Sequence, residues 1–413
     1  MVVALFLLLC LYILYDYRKG SILIFILSPI LDMFPFLWQS LGNVLIIIAV
    51  LIWFIRSRSK LNIIFHSIFT IGILITIISL FISNHFGAIK HTPSVIYLVI
   101  YYSSIYVLYE YISEDINLSD FAVNIIVYLS IVLVINGVVE TLVHFNPLLE
   151  LGRTLGLYSE DLPIITEIRY GIKRSQSVFD MHTTWGGYTI ISFCTLLFLS
   201  KYKNYSNRYL LLLLVLLAAN CFFTGARSAI VGLFFSLFAF IEAKDLRNRN
   251  VQIGIMVILL ISPLFIDYFQ DVFSSISDTE KVSGSNADMR ENQFDICFYH
   301  FLKSPLYGNG ISYTWEFALA FDKTLNGAES LWIPILIDQG ILGCLAIISM
   351  YIVTAIYLIK SGNQKFIFVL LGFLIFNTMS SIPHYSIVNV IYYVIILSFF
   401  DNYEEYYSIQ SEN

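Results

Sequence analysis

Three clusters of residues in this chain could carry chemistry. In the first, Arg169, Lys173 and Arg174 crowd three cations into one short stretch, and Asp180, His182, Thr183, Thr184, Trp185 and Tyr188 follow. Arginine presents a planar fork of donors that matches phosphate geometry. Thr183 or Thr184 is placed to cap the apolar helix that comes next, whose N-terminus would favour an anion. Two readings of this cluster weigh about the same. One is a phosphate clamp, with His182 beside it; the other is a set of interfacial anchors whose long side chains snorkel.

The second cluster is the turn Thr224-Gly225-Ala226-Arg227-Ser228, between two strongly apolar runs. An arginine between two spans, with no acid close in sequence, is costly unless it faces protein, water or a ligand. Contact with lipid headgroups would be the ordinary explanation, but a turn this tight favours a fixed, functional cation.

The third cluster begins in a stretch, Met289 to Lys303, that reads as a helix stopped by Ser304-Pro305. Arg290, Gln293, Cys297 and His300 recur at helical spacing and share a face. Phe294, Phe298, Phe301 and Leu302 form an apolar stripe, which suits a helix lying on a membrane surface. The turn Leu306-Tyr307-Gly308-Asn309-Gly310 allows close backbone approach and offers Asn309 as a polar contact. Glu329 stands at the brink of an apolar run, where an acid is a functional candidate by default. His300, a lone histidine, is of a kind more often structural than catalytic. Gly340 and Gly343, spaced by three, read as a close helix-packing pair.

These residues must be positioned by membrane helices. Of 413 residues, 58% are hydrophobic and only 13% charged, against about 25% charged in a soluble domain. Such a chain must cover its excess apolar surface with lipid. Expected spans are 2–16, 21–37, 41–55, 62–83, 94–112, 120–144, 184–200, 208–224, 227–243, 251–269, 335–359, 365–381 and 386–400. The class is therefore an all-α, polytopic integral membrane bundle of 12 or 13 transmembrane helices, read as one membrane domain over 1–413. The start, Met1 to Tyr15, has no basic region before it and reads as a retained helix. Arg56, Arg58 and Lys60, then Lys201, Lys203 and Arg208, then Lys244, Arg247 and Arg249, then Lys360 and Lys365 all fall on one side, the expected cytoplasmic face. Two long loops, 145–183 and 270–328, then lie on the extracytoplasmic side and hold most of the candidates. The net charge of −6 gives no reason to expect nucleic acid. Five cysteines form no CxxC pair, so neither a disulfide framework nor a zinc site is expected.

The order of a Thr-Gly-Ala-Arg-Ser turn, a basic loop, one more span and a long external loop is itself distinctive. That loop holds Arg290, then Ser304-Pro305-Leu306-Tyr307-Gly308-Asn309-Gly310, then Glu329-Ser330, and Gly340-Ile341-Leu342-Gly343 follows. Over roughly Arg174 to Phe400 the chain resembles the O-antigen polymerase and ligase family of bacterial enzymes. The resemblance implies a membrane-embedded, GT-C-like glycosyltransferase of the bacterial plasma (inner) membrane, acting at its extracytoplasmic face. Its donor would be a polyprenyl-diphosphate-linked oligosaccharide, and its product O-antigen, capsule or exopolysaccharide. It would use no cofactor and no metal, and a flippase and a chain-length regulator would be its partners. Arg227 and Arg290 match the family's essential arginines; Arg174 matches less closely, because the spacing there varies. Where the ligases place a histidine this chain has Glu329, which favours a polymerase. A diphosphate leaving group needs positive charge where its own charge develops. No Asp-x-Asp occurs in an external loop, and arginines are the available substitute. The acceptor hydroxyl needs a base, a role Glu329 could fill with its pKa raised by partial burial. Arg169, Arg174, His182, His300 and Asn309 would line the substrate. The competing readings are the ligase, a lipid-linked oligosaccharide flippase and a non-enzymatic scaffold.

Overall fold

The structure is a computed structural model. It describes residues 1–36, 39–56, 74, 88–115, 117–158, 165–169, 172–202, 207–240, 287–319, 322–325, 329–380 and 389–399. Apart from Leu74, the expected spans 62–83 and 251–269 lie outside these residues, as do most of the basic loops at 57–60 and 241–250.

Helices dominate, as long apolar runs without alternation require. They are α1 (Val2–Tyr15), α2 (Tyr17–Leu31), α3 (Leu41–Arg56), α4 (Ala88–Glu114), α5 (Asn117–Val143), α6 (Pro147–Thr154), α7 (His182–Tyr202), α8 (Asn207–Phe223), α9 (Arg227–Leu237), α10 (Ala287–Phe301), α11 (Trp332–Lys360), α12 (Ile367–Thr378) and α13 (Asn389–Phe399). Strand pairing among the described residues is limited to two two-residue ladders. One pairs β1 (Pro35–Phe36) with β2 (Gln39–Ser40), and the other pairs β3 (Ile168–Arg169) with β4 (Ile172–Lys173). This is an all-α membrane protein. The second expected span needs correcting: its helix starts at Tyr17 and stops at Leu31. Asp16 sets the start, its side chain accepting from the Lys19 N–H at 3.1 Å.

Two helices, Asn117–Val143 and Trp332–Lys360, are long and apolar enough to cross a bilayer, and several shorter apolar helices accompany them. Their faces show what surrounds them. On α5, Ile126, Ser130, Leu133, Gly137 and Glu140 recur at helical spacing and are buried. Tyr128, Ile131, Val132, Ile135 and Leu142 on the other face are exposed. On α11, Ile341, Leu345, Ile348, Ile352, Ile356 and Ile359 form an exposed apolar line. Lipid is the partner such stripes require.

The helix α11 is broken. Gly340 has φ 66° and ψ −157° inside it, a conformation open to glycine and costly for other residues. The turn 306–310 fills the break. Asn309 N–H donates to the Ile337 carbonyl at 2.9 Å, and Gly310 N–H to that of Asp338 at 2.9 Å. Ile341 N–H donates back to the Pro305 carbonyl at 2.9 Å, and Leu342 N–H to Leu306 at 3.2 Å. A Cβ on Gly340 would lie 2.6 Å from the Gly308 nitrogen. The expected helix-packing pair at Gly340 and Gly343 is thus corrected. Gly340 receives a loop, and four backbone hydrogen bonds replace those the helix loses.

Candidate functional site

The Arg174 side of the site is built from the hairpin β3–β4. Arg174 follows the hairpin, and its N–H donates to the Glu167 carbonyl at 3.0 Å. Ser175 N–H donates to the Phe223 carbonyl at 2.9 Å, which straps the segment to the end of α8. Arg174 Nε then donates to the Thr224 carbonyl at 3.0 Å, and Nη1 to Glu167 Oε2 at 2.7 Å. Gly225, at φ 62°, lies under this side chain; a Cβ there would come within 3.0 Å of Nε. So the Thr224–Ser228 turn is tight because an arginine lies across it.

Glu140 holds this segment from α5. Its Oε2 accepts from Ser175 Oγ at 2.9 Å, Gln176 N at 3.0 Å and Ser177 N at 2.8 Å. Its Oε1 accepts from Lys173 Nζ at 3.4 Å. The carboxylate and its lysine are almost wholly buried. A buried ion pair holds only when further hydrogen bonds satisfy it, and three neighbouring donors do so here.

The other side is built by α10 and the approach to α11. Arg290 Nη2 donates to Glu329 Oε2 at 3.1 Å and to the Met379 carbonyl at 3.3 Å. Glu329 N–H donates to Gln293 Oε1 at 3.2 Å, from the next turn of α10. Leu331 N–H donates to the Asn377 carbonyl at 3.0 Å, and Trp332 Nε1 to Thr378 Oγ1 at 3.0 Å. The end of α12 therefore supports Arg290 and Glu329 together. Ser380, next to Met379, contacts Ser228 hydroxyl to hydroxyl. Ser228 follows Arg227, which opens α9 and is partly exposed. Arg174, the Arg227 turn, Ser380, Arg290 and Glu329 thus form one continuous belt, although they are separated by up to about half the chain.

Other expected residues lie elsewhere. His300 and Asn309 are buried at the broken helix, about 15 Å along α10 from Arg290. Asn309 Nδ2 donates to the His300 and Ile337 carbonyls at 2.9 and 3.0 Å, and His300 Nδ1 meets Tyr313 Oη at 3.2 Å. Burial and Lys303 push the His300 pKa below its ordinary value. His182 is the first residue of α7, one turn from Gly186, whose nearest neighbours include Ala229 and Thr224 Oγ1. Thr183 and Thr184 sit inside that first turn and do not cap it; Thr184 Oγ1 instead donates to Asp180 Oδ1 at 3.0 Å. Burial pushes the Asp180 carboxyl up, against the pull of that hydrogen bond. Arg169 lies in β3, and its side chain is outside the described residues. Of the expected apolar stripe, Phe294 and Phe298 on α10 and Leu302 just past its end are exposed, and Phe301 is half-buried.

The sequence reading missed Glu140, Glu167, Met379 and Ser380. Glu140 had a signal, since an acid deep in an apolar run is a functional candidate by default. Met379 acts through its carbonyl and Ser380 is one serine among many, so neither had one.

Residues 212–348 match the family model described as O-antigen ligase. The match covers about a third of the chain and contains Arg227, Arg290 and Glu329. It supports the O-antigen ligase and polymerase family and does not separate its two branches. Arg174 precedes the O-antigen ligase match, and Met379 and Ser380 follow it, so the belt extends beyond it at both ends. No curated protein matches the chain.

Proposed function

We propose that this chain is a membrane glycosyltransferase that polymerises glycan repeat units carried on a polyprenyl diphosphate. The supporting observation is the junction of Arg290, Glu329 and the Met379 carbonyl, joined through Ser380 and Ser228 to the Arg227 turn. It sets Arg290 against Glu329 and links that pair to the turn that carries Arg227, and most of its members fall in the O-antigen ligase match. In this reading Arg227 and Arg290, with Arg174 behind them, neutralise the donor diphosphate. An acceptor sugar hydroxyl attacks the donor anomeric carbon. The bond from that carbon to the phosphate oxygen breaks, polyprenyl diphosphate leaves with the electron pair, and Glu329 takes the hydroxyl proton. Arg290 exchanges Glu329 for the diphosphate when donor arrives, which frees the carboxylate to act. Charge comes from arginine in this scheme, without a metal. A GT-C-like arrangement, a plasma-membrane location and a site on the extracytoplasmic face belong to the same proposal, as do a flippase and a chain-length regulator as partners.

The ligase reading has equal support from the family match, and only Glu329 in the histidine position favours polymerase. The test is the lipid-linked glycan profile of cells lacking this chain. Single repeat units accumulating on lipid are the expected result. Long glycans left on lipid would make it the ligase, and an unprocessed lipid on the cytoplasmic face would make it a flippase.

A further inference from the structure

Of the helices that end at the arginine belt, α9 and α12 are, over the described residues, too short to cross a bilayer. A hydrocarbon core about 30 Å thick needs about 20 residues of helix. The rings of Phe198 and Phe366 lie 5.7 Å apart, and those of Phe240 and Phe366 6.4 Å apart. Lys365 Nζ lies 5.8 Å from the Phe198 ring and 5.3 Å from the Phe366 ring. A lysine over this aromatic layer marks headgroup level at that end of the bundle. From the layer, α9 and α12 each climb only about 20 Å before ending at Arg227 and Met379. The Ser228–Ser380 contact ties those ends at one height. The belt therefore lies roughly 10 Å short of the far edge of the core.

The broken helix α11 points the same way. A straight helix would put Leu331 about 30 Å from Tyr351. Asn377 holds both residues instead: its Nδ2 donates to Tyr351 Oη at 3.1 Å, and its carbonyl accepts from Leu331 N–H at 3.0 Å. Fully extended, that chain of bonds spans roughly 20 Å at most. So Trp332–Gln339 turns at Gly340 by about a right angle or more, which brings Glu329 down to the level of Met379. Meanwhile Ile341–Lys360 runs on as the lipid-facing crossing. Arg290 and Glu329 keep 31% and 30% of their side chains exposed at that depth. Charged groups there must face protein, water or a ligand, and lipid is excluded.

We infer that the belt and Glu329 form the floor of a water-filled vestibule sunk about 10 Å into the leaflet, with Trp332–Gln339 as its re-entrant wall. It would admit a hydrophilic chain from the aqueous side, such as a saccharide, down to the arginines. The inference concerns depth and water, and it stands whichever transfer reaction the site performs.

The experiment compares two cysteines at matched depth, each about 20 Å above the aromatic layer. Thr378→Cys is exposed beside the belt, and Leu345→Cys is exposed on the lipid-facing line of α11. The full chain is placed in lipid nanodiscs, open to water on both faces, and treated with a charged methanethiosulfonate. The background of the five native cysteines is subtracted. Thr378→Cys should react at least tenfold faster than Leu345→Cys. Glu291→Cys, exposed next to Arg290, gives a second reading that disturbs no hydrogen bond named above. Equal fast labelling would put the membrane edge below the belt, and no labelling at both Thr378→Cys and Glu291→Cys would mean that water does not reach it. Either result overturns the vestibule.

Discussion

Arg174 and Arg290 are both candidate phosphate-binding cations, and they are held in opposite ways. Arg174 is buried, with its charge on Glu167, a backbone carbonyl beneath it and Glu140 locking the residues on either side. Arg290 is about one-third exposed, and its side-chain bonds described above go to one similarly exposed acid and one carbonyl. A cation whose donors are committed inside the protein stabilises structure and contributes field. A cation about one-third exposed, beside an acid equally exposed, can change partners. On the proposed function, the diphosphate contact would fall chiefly to Arg290, with Arg174 a fixed charge behind it.

The comparison breaks most sharply at Glu140. Glu140→Ala leaves Lys173 buried without its acid and removes the acceptor of three donors. Removing one member of a buried pair costs about 3–5 kcal/mol. The expected outcome is a large fall in thermal stability in detergent, or loss of the protein from the membrane. Arg174→Ala should come next, with stability and polymer synthesis failing together, because Glu167 and the Thr224 carbonyl lose their donor. Arg290→Ala should abolish polymer and leave the melting temperature near that of the parent chain. Arg290→Lys should recover little, since an ammonium lacks the planar fork. If Arg290→Ala melts as early as Arg174→Ala, the two arginines do not differ as described. Gly340→Ala should destabilise too, because the new Cβ meets the backbone of residues 305–308 at a positive φ.

A smaller effect concerns pH at the broken helix. The His300 pKa is lowered by burial first and by Lys303 second, so the unfolded chain binds a proton more readily than the folded one. The contribution of His300 should then be fully present above the ordinary imidazole pKa of about 6.5 and should decline as pH falls below it. Melting curves of the parent chain and His300→Asn across that window would show it; the parent should lose more stability on acidification.

Much of the fold was legible because apolar run length and helical period are local properties. The expected span 120–144 became Asn117–Val143, and 184–200 became His182–Tyr202. The shared face of Arg290, Gln293, Cys297 and His300 was legible from spacing alone. The pairing of residues far apart was not. Nothing local tells Arg290 to meet Glu329 or a carbonyl at Met379, and nothing local sends Glu140 to the segment after Lys173. Those contacts depend on how the helices end and cross. The break at Gly340 was misread because a glycine pair spaced by three also suits close helix packing. Only the loop that fills the break distinguishes the two.

The central claim is that Glu329 takes the acceptor proton once Arg290 has left it for the diphosphate. The direct measurement is turnover of purified Glu329→Gln on lipid-linked repeat units, with thermal stability read in the same preparation. The amide keeps the shape and still accepts from Arg290, but it cannot serve as the base. General bases typically contribute about 10²–10⁴-fold, so turnover should fall by that order while the melting temperature stays close to the parent value. Full turnover would contradict the base role, and a loss that follows a fall in stability would make Glu329 a structural partner of Arg290 and nothing more.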